Sequence, residues 1–526
     1  MGKPSPPVLT REEVGKRILA GDNLVILRDQ VLRIPSSWLT SHPGGALAIL
    51  HFVGRDATDE VDAFHSAPTL EKMKRYVIGT VDVSEHAWKP FVPPIMSGWV
   101  RRTGKDGARE WFNEASAVRS STDTVDAPSS QILLFKSDET SRSGPTLATI
   151  EPPPSSLSLK TAAKHSEAYK ALHQRIIDAG LYQCPYLSGY GQEVLRYTFF
   201  LVTSIVAYRC KWFLTSAFFL GLLWHQITFT AHDLGHVGVT HNWTIDRLFG
   251  ILIADFIGGL SIGWWVDNHN THHLVTNHPS HDPDIQHLPF FAISPVFLRS
   301  LYSSYYKRVL PFDAASKIFI RIQHKLFYVI MAFARFNLYR LSWTFLAKNA
   351  FAPRKAMGGR WWWWTEMIGL ACFFTWYGLV LKGCGTWGTR LGFLLISHVV
   401  PSPLHVQIVL SHFSRSTADL GPSESFVARQ LRTTVDVICD PSIEFIHGGL
   451  HLQVTHHLFP RLPRHNLRKA SLLVKEFAKE HGLEYAEFGF LEGNGEVRSV
   501  LKQVADQVKI VGMVAEANVR EAIEGH

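Results

Sequence analysis

Cysteine is scarce in this chain. Five are scattered along 526 residues, at Cys184, Cys210, Cys372, Cys384 and Cys439, and none stands in a Cys-x-x-C pair. Free thiols in a reducing compartment fit this usage better than a disulfide framework. The N-terminus is rich in proline and lacks an apolar core, so no cleaved signal peptide is expected. No Gly-x-Gly-x-x-Gly fingerprint follows a strand, so the chain is not expected to bind a nicotinamide itself. Lysine and arginine are dispersed and no nucleic-acid motif accompanies them, which removes nucleic acid from the expected partners. Mean hydropathy is only +0.03, low for a pure membrane protein. The average hides a split between polar ends and an apolar middle.

Histidine, by contrast, is plentiful at 27, and three clusters stand in order: His232-Asp-Leu-Gly-His236, His269-Asn-Thr-His272-His273 and Gln453-Val-Thr-His456-His457. Each adjoins a long apolar stretch. Helical residues three or four apart share a face, so His232 and His236 can aim at one point, as can His269 with His272 or His273. The adjacent pairs, His272-His273 and His456-His457, diverge in direction, which lets each pair bridge two ions. A lone histidine is most often structural. Seven imidazoles in three groups beside a membrane point instead to a metal centre. Nitrogen and oxygen ligands with open positions suit two non-haem irons that activate O2.

Other histidines follow the same faces. His225 extends the His232 stripe, and His398, His405 and His412 recur every seven residues, close to two turns. At about 1.5 Å per residue His405 lies roughly 10 Å from His412, too far to share an iron. It is expected to line a channel or bond another helix. His241, His278, His281 and His451 are expected to be structural or to orient a ligand, and Asp233, Asp267 and Asp282 to orient or charge-balance one.

A second site stands near the N-terminus. His42-Pro-Gly-Gly45 is followed 23 residues later by His65, in Ala63-Phe-His-Ser66. Two such histidines can clamp a haem from both sides, the glycines allowing close backbone approach. With Trp38, the run Gly45–Val53, and Tyr76-Val-Ile-Gly79, the segment resembles a cytochrome b5 domain, which implies haem b with His42 and His65 as axial ligands.

The length allows two or three domains: residues 1–93 around the His42/His65 pair, a polar tether at 94–165 with a helical piece near Trp111–Ala117, a membrane domain at 166–463 and a helical region at 464–526. His165–Ala179 reads as a polar helix leading to the membrane. Four stretches approach the roughly 20 residues that cross a bilayer: Val194–Tyr208, Trp212–Ala231, Trp361–Leu381 and Leu391–Leu410, the last kinked by Pro401 and Pro403. The three clusters must meet on one side, so the apolar runs Leu248–Trp265 and Leu326–Phe345 are placed in the interface plane; the second carries Arg335 and Arg340. The net charge of +8 fits attraction to an anionic leaflet.

The three boxes, Gln453 heading the third, Gly448-Gly-Leu450 and the run from His457-Leu-Phe-Pro to His465-Asn-Leu467 resemble the front-end membrane desaturases over nearly the whole chain. Fusion to a cytochrome b5-like domain is part of the same pattern. The flanks Asp267-Asn-His-Asn-Thr-His-His and Leu404-His-Val-Gln-Ile-Val-Leu-Ser-His-Phe413 resemble the fungal sphingolipid Δ8 branch. That resemblance implies an all-α multi-pass membrane domain of four transmembrane helices with a cytosolic helical cap, plus a small α+β cytochrome b5-like domain at the N-terminus. It implies iron ligands at His232, His236, His269, His272, His273, His456 and His457, with His412 and Gln453 added. It also implies a ceramide or glucosylceramide substrate, electrons from NADH through a separate cytochrome b5 reductase, and an endoplasmic reticulum membrane location with boxes and haem domain facing the cytosol. A fatty acyl desaturase and a di-iron lipid hydroxylase remain the alternatives. Nothing in the spacing itself selects a sphingoid over an acyl chain.

Overall fold

The computed structural model describes residues 6–83, 88–103, 109–115, 144–352 and 359–524. They divide into two compact units. One comprises Met1–Tyr169, Asn270–Lys317 and Thr417–Arg429; the other Lys170–His269, Ile318–Ser416 and Gln430–His526.

The first unit opens with helix Arg11–Ala20. Thr10 and Glu13 form a capping box at its start and Gly21, at φ 104°, ends it. Strands Asn23–Leu27, Gln30–Ile34 and Val77–Thr80 form an antiparallel sheet in that order. Short helices Ser36–Ser41, Leu47–Leu50, Thr58–Phe64 and Ala67–Met73 lie between the second and third strands. This is the α+β domain expected from the sequence.

It does not stop at residue 93. Trp99–Thr103 and Arg109–Asn113 pair as antiparallel strands, so Trp111 sits in a strand where a helical piece was expected. Trp111 Nε1 donates to Leu19 O at 2.7 Å. Ile150, in the short helix Leu147–Ile150, is buried with Val14, Ile18, Trp88 and Phe91. The polar average of the 94–165 segment concealed a few large apolar side chains, enough to dock its two ends. Its Ser/Thr-rich middle, residues 116–143, lies outside the described residues.

The second unit is built from long helices. Gln192–Arg209 and Phe213–Gly235 form an antiparallel pair, drawn close where Ser204 Oγ donates to Ser216 O at 2.9 Å. Three described helices are long and apolar enough to cross a membrane: Phe213–Gly235, Trp361–Gly383 and Trp387–Phe413, or up to four if one bent pair is a single span. The break between Trp387–Val399 and Ser402–Phe413 falls at Pro401, as Pro401 and Pro403 predict. The expected first span, within helix Gln192–Arg209, is not among the three. Its eighteen residues include Glu193, Arg196 and Arg209, though Leu195, Phe199, Val202 and Ile205 leave one side exposed and apolar.

The bent pair is Trp243–Ile257 followed by Ile262–Leu274 at 113°. Side chains satisfy the backbone that the break exposes, as an apolar surrounding requires. Arg335 donates to Gly258 O, Ser342 Oγ accepts from Ser261 N at 3.0 Å and Asp255 accepts from Ile262 N at 3.2 Å. Gly259 at the corner has φ +73°, and a Cβ there would meet the Phe373 ring at 2.3 Å. Arg335 is therefore buried against a broken helix, inside the 35-residue helix Ala314–Lys348, and not turned to the interface. Leu467–Glu480 and Phe490–Glu524 are helical as expected, and a short parallel pair, Asp436–Ile438 with Glu487–Gly489, interrupts the all-α pattern.

Candidate metal sites

His42 follows helix Ser36–Ser41 and His65 follows helix Thr58–Phe64. His42 Nδ1 donates to Gly45 O at 3.0 Å and His65 Nδ1 to Val61 O at 3.0 Å. A carbonyl can only accept, so both rings carry their proton on Nδ1 and present Nε2 as the lone pair. Gly45 takes φ 85°, a conformation that suits glycine, while its carbonyl holds His42. The ring centroids lie 6.1 Å apart. Two imidazoles on opposite sides of one metal, each bonded at about 2 Å, put their centres roughly 6 Å apart. Spacing and tautomer therefore fit a haem iron held from both faces.

The second constellation gathers three helices of the other unit. His232 and His236 lie at the end of Phe213–Gly235, His269 on Ile262–Leu274, and His456 on Gln453–Leu458. One ring nitrogen from each of the four lies within 4.8 Å of the others. Three of the four are buried, and His269 is half-buried. Four convergent imidazoles, three of them buried, are a poor arrangement for protons and a good one for a metal ion.

Trp265 forms a wall of this cluster. Its ring lies 4.4 Å from His269, 5.1 Å from His232 and 5.3 Å from His236. Gly235 makes that possible, because a Cβ there would stand 2.2 Å from the Trp265 ring. Neither residue is singled out by the sequence reading. Gly235 lies inside the first histidine box, and the cost of enlarging it was the available signal.

Four of the remaining predicted ligands, His272, His412, His457 and Gln453, each hydrogen-bond to a neighbour. His272, one turn along the helix from His269, donates from Nδ1 to Asp282 Oδ2 at 2.9 Å, and Asp282 also accepts from Asn277 N at 2.7 Å. Asp282 thus plays the orienting part its sequence position suggests. His457 Nδ1 lies 3.0 Å from Gln430 Oε1 and His412 Nδ1 3.3 Å from Thr433 O. The rings of His412 and His457 are 4.8 Å apart. Gln430 was not foreseen: it stands 27 residues from His457 and only the fold joins them. Gln453 donates its amide to Leu450 O at 3.0 Å, turning its amide oxygen the other way.

Several other histidines are accounted for structurally. His241 bonds Val237 O and Tyr182 O, and His398 donates to Leu394 O and touches Tyr339. His281 bonds Ser304 Oγ. His405 is half-buried, and its buried Nε2 lacks a hydrogen-bond partner among the described residues. Beneath His232 lies a buried charge network: Arg464 donates to Asp233 at 2.8 Å and to Glu193, Tyr190 donates to Asp233, and Tyr197 to Glu193 at 2.8 Å. Arg464 near the third box is thereby tied to the helices beside the first.

Comparison with known proteins places the geometry in context. Residues 211–489 match the family described as fatty acid desaturase, and residues 10–82 match the cytochrome b5-like heme/steroid binding domain. A Delta 8-(E)-sphingolipid desaturase of Emericella nidulans is 45% identical, over 96% of this chain and 95% of the relative. One of the same name from Komagataella phaffii is 44% identical, over 96% and 94%. The Delta(8)-fatty-acid desaturase 2 of Arabidopsis thaliana is 29% identical, over 95% and 94%.

Proposed function

The chain belongs to the fatty acid desaturase family with a fused cytochrome b5-like domain, and from that premise we propose that it inserts a double bond at C8 of the long-chain base of a ceramide or glucosylceramide. The (E) in the names of its fungal relatives supports a trans product. The observation that carries a metal-dependent oxidation is the set of four convergent imidazoles walled by Trp265.

His42 and His65 would hold haem b, which would carry single electrons when bound. Two irons would be held by His232, His236, His269, His272, His273, His412, His456 and His457, together with Gln453. When bound, they supply O2 activation and removal of hydrogen from two adjacent methylenes, with two water molecules as the co-product. The protein's share is positional. Asp282 and Gln430 fix the tautomers of His272 and His457, each leaving Nε2 to ligate. The apolar helices supply the surface along which an alkyl chain, having no polar handle, is measured from its head group. Two electrons per turnover come from NADH through a separate cytochrome b5 reductase and enter at the haem. The enzyme resides in the endoplasmic reticulum membrane with haem domain and histidine boxes on the cytosolic side.

The test is expression in a yeast lacking Δ8-unsaturated bases, with long-chain bases measured by mass spectrometry. Bases two mass units lighter, unsaturated at C8 and absent in His272→Ala, support the proposal. New unsaturation confined to acyl chains, or bases heavier by one oxygen, refutes it in favour of an acyl desaturase or a hydroxylase.

A further inference from the structure

The haem pair and the second histidine box meet inside the first unit. Phe64, the residue before His65, sets its ring 6.0 Å from the ring of His273 at 83°, an edge-to-face contact. The next residue, Leu274, is buried in one apolar cluster with Val25, Phe52 and Ala57, and Phe64, Val61 and Ile34 pack against that cluster. A Cβ on Gly44, beside His42, would lie 3.5 Å from the Asn270 amide. Two further bonds fix the contact. Arg429 donates to Leu274 O at 3.3 Å at the helix end, and Ser304 joins His51, which follows helix Leu47–Leu50, to His281 at 3.2 and 2.9 Å.

The end of the box-bearing helix is thus seated in the haem domain's own apolar cluster, with the aromatic side chain of the residue that precedes a haem-side histidine set against a box histidine. We infer that Phe64 is the electron bridge of this enzyme, positioned by Leu274, and that reducing equivalents pass from His65 through Phe64 to His273. This rests on the ligand roles proposed above for His65 and His273. In each passage the haem iron is oxidised from ferrous to ferric and an iron at His273 is reduced by one electron. Two passages serve one turnover, and a nicotinamide-dependent flavoprotein reductase restores the haem each time. A fixed contact replaces diffusional encounter of a free carrier, so the intramolecular step does not depend on protein concentration.

The experiment uses full-length holoenzyme in detergent, its haem reduced with one equivalent of dithionite, mixed in a stopped-flow instrument with O2 and ceramide. Haem reoxidation is followed at the Soret band. Phe64→Leu keeps bulk but removes the ring; it should slow the substrate-dependent phase by roughly tenfold or more, a loss attributable to one specific interaction. Soret position and haem midpoint potential should stay those of the unsubstituted enzyme, and Phe64→Tyr should restore the rate. Leu274→Ala, which loosens the seat without touching the haem, should slow the same phase. Reoxidation within twofold of the unsubstituted rate in both Phe64→Leu and Leu274→Ala would overturn the bridge. If the unsubstituted enzyme has no substrate-dependent phase, or His65→Ala keeps its Soret band, the underlying ligand reading fails and the bridge with it.

Discussion

Gly235→Ala adds a single methyl group to the first histidine box. A Cβ at that position stands 2.2 Å from Cζ3 and 2.7 Å from Cε3 of Trp265. Carbon atoms rest at about 3.5–4.0 Å, so the ring must shift by more than about 1 Å. It is hemmed by the imidazoles of His269, His232 and His236 at 4.4, 5.1 and 5.3 Å, and a shift on this scale disturbs their common focus. Overpacking of this kind costs about 1–3 kcal/mol, and the better helix propensity of alanine returns at most about 1 kcal/mol. The net loss of stability is therefore modest. The functional loss is larger, because misplacing a reacting group by about 1 Å can lower a rate about 100-fold. The assay is iron per haem by elemental analysis and Soret absorbance, with turnover measured alongside. Gly235→Ala should keep its haem, lose iron and fall roughly 10- to 100-fold in desaturation. Gly495→Ala is the control: nothing lies within 4 Å of its Cβ, and it should be neutral or slightly stabilising. Iron content and turnover equal to the unsubstituted enzyme in Gly235→Ala would refute the reasoning.

Three further outcomes are expected. Asp282→Asn should weaken iron retention about 10- to 100-fold under chelator challenge by removing the carboxylate that orients His272; unchanged retention would remove Asp282 from the site's support. Ile150→Ala should lower stability by about 2–5 kcal/mol in a melt followed at the Soret band, because Ile150 fills the N-terminal core; no change would separate residues 94–150 from that domain. Asp436 caps the third-box helix by accepting from Val454 N at 2.8 Å, and burial pushes its carboxyl up to about 7. A raised folded value means the folded protein holds a proton that the unfolded chain releases above about pH 4. The stabilisation is complete below that pH and is lost as pH rises toward 7, by roughly 4 kcal/mol in all. Asp436→Asn should flatten the chemical-denaturation midpoint between pH 5 and 8; an equally sloping profile would reject the assignment.

How far the sequence reaches depends on the distance over which a signal acts. Spacings of three and four on a helix are local, so the pairing of His232 with His236 is legible from the chain alone. So is the His42/His65 pair, because the motif carries its own turn. Span limits were less legible: Gln192–Arg209 is as helical as expected yet too charged to stand with the three apolar spans. Arg335 misled because a buried cation is rare and its partner, Gly258 O, lies 77 residues away. The pairing of Trp99–Thr103 with Arg109–Asn113 is not legible in the sequence because a polar average masks two tryptophans that dock.

The sequence by itself determined the grouping of the histidines, the pairing of a cytochrome b5-like part with a desaturase-like part and the helical character of the apolar middle, all of which follow from local periodicity and residue chemistry. Only the tertiary structure decided which imidazoles converge, that Trp265 walls them and needs Gly235, that Gln430 and Asp282 set the tautomers, and that Phe64 meets His273. Those are contacts between residues up to more than two hundred positions apart, and they exist only once burial of the apolar faces and satisfaction of buried polar groups have chosen a single packing.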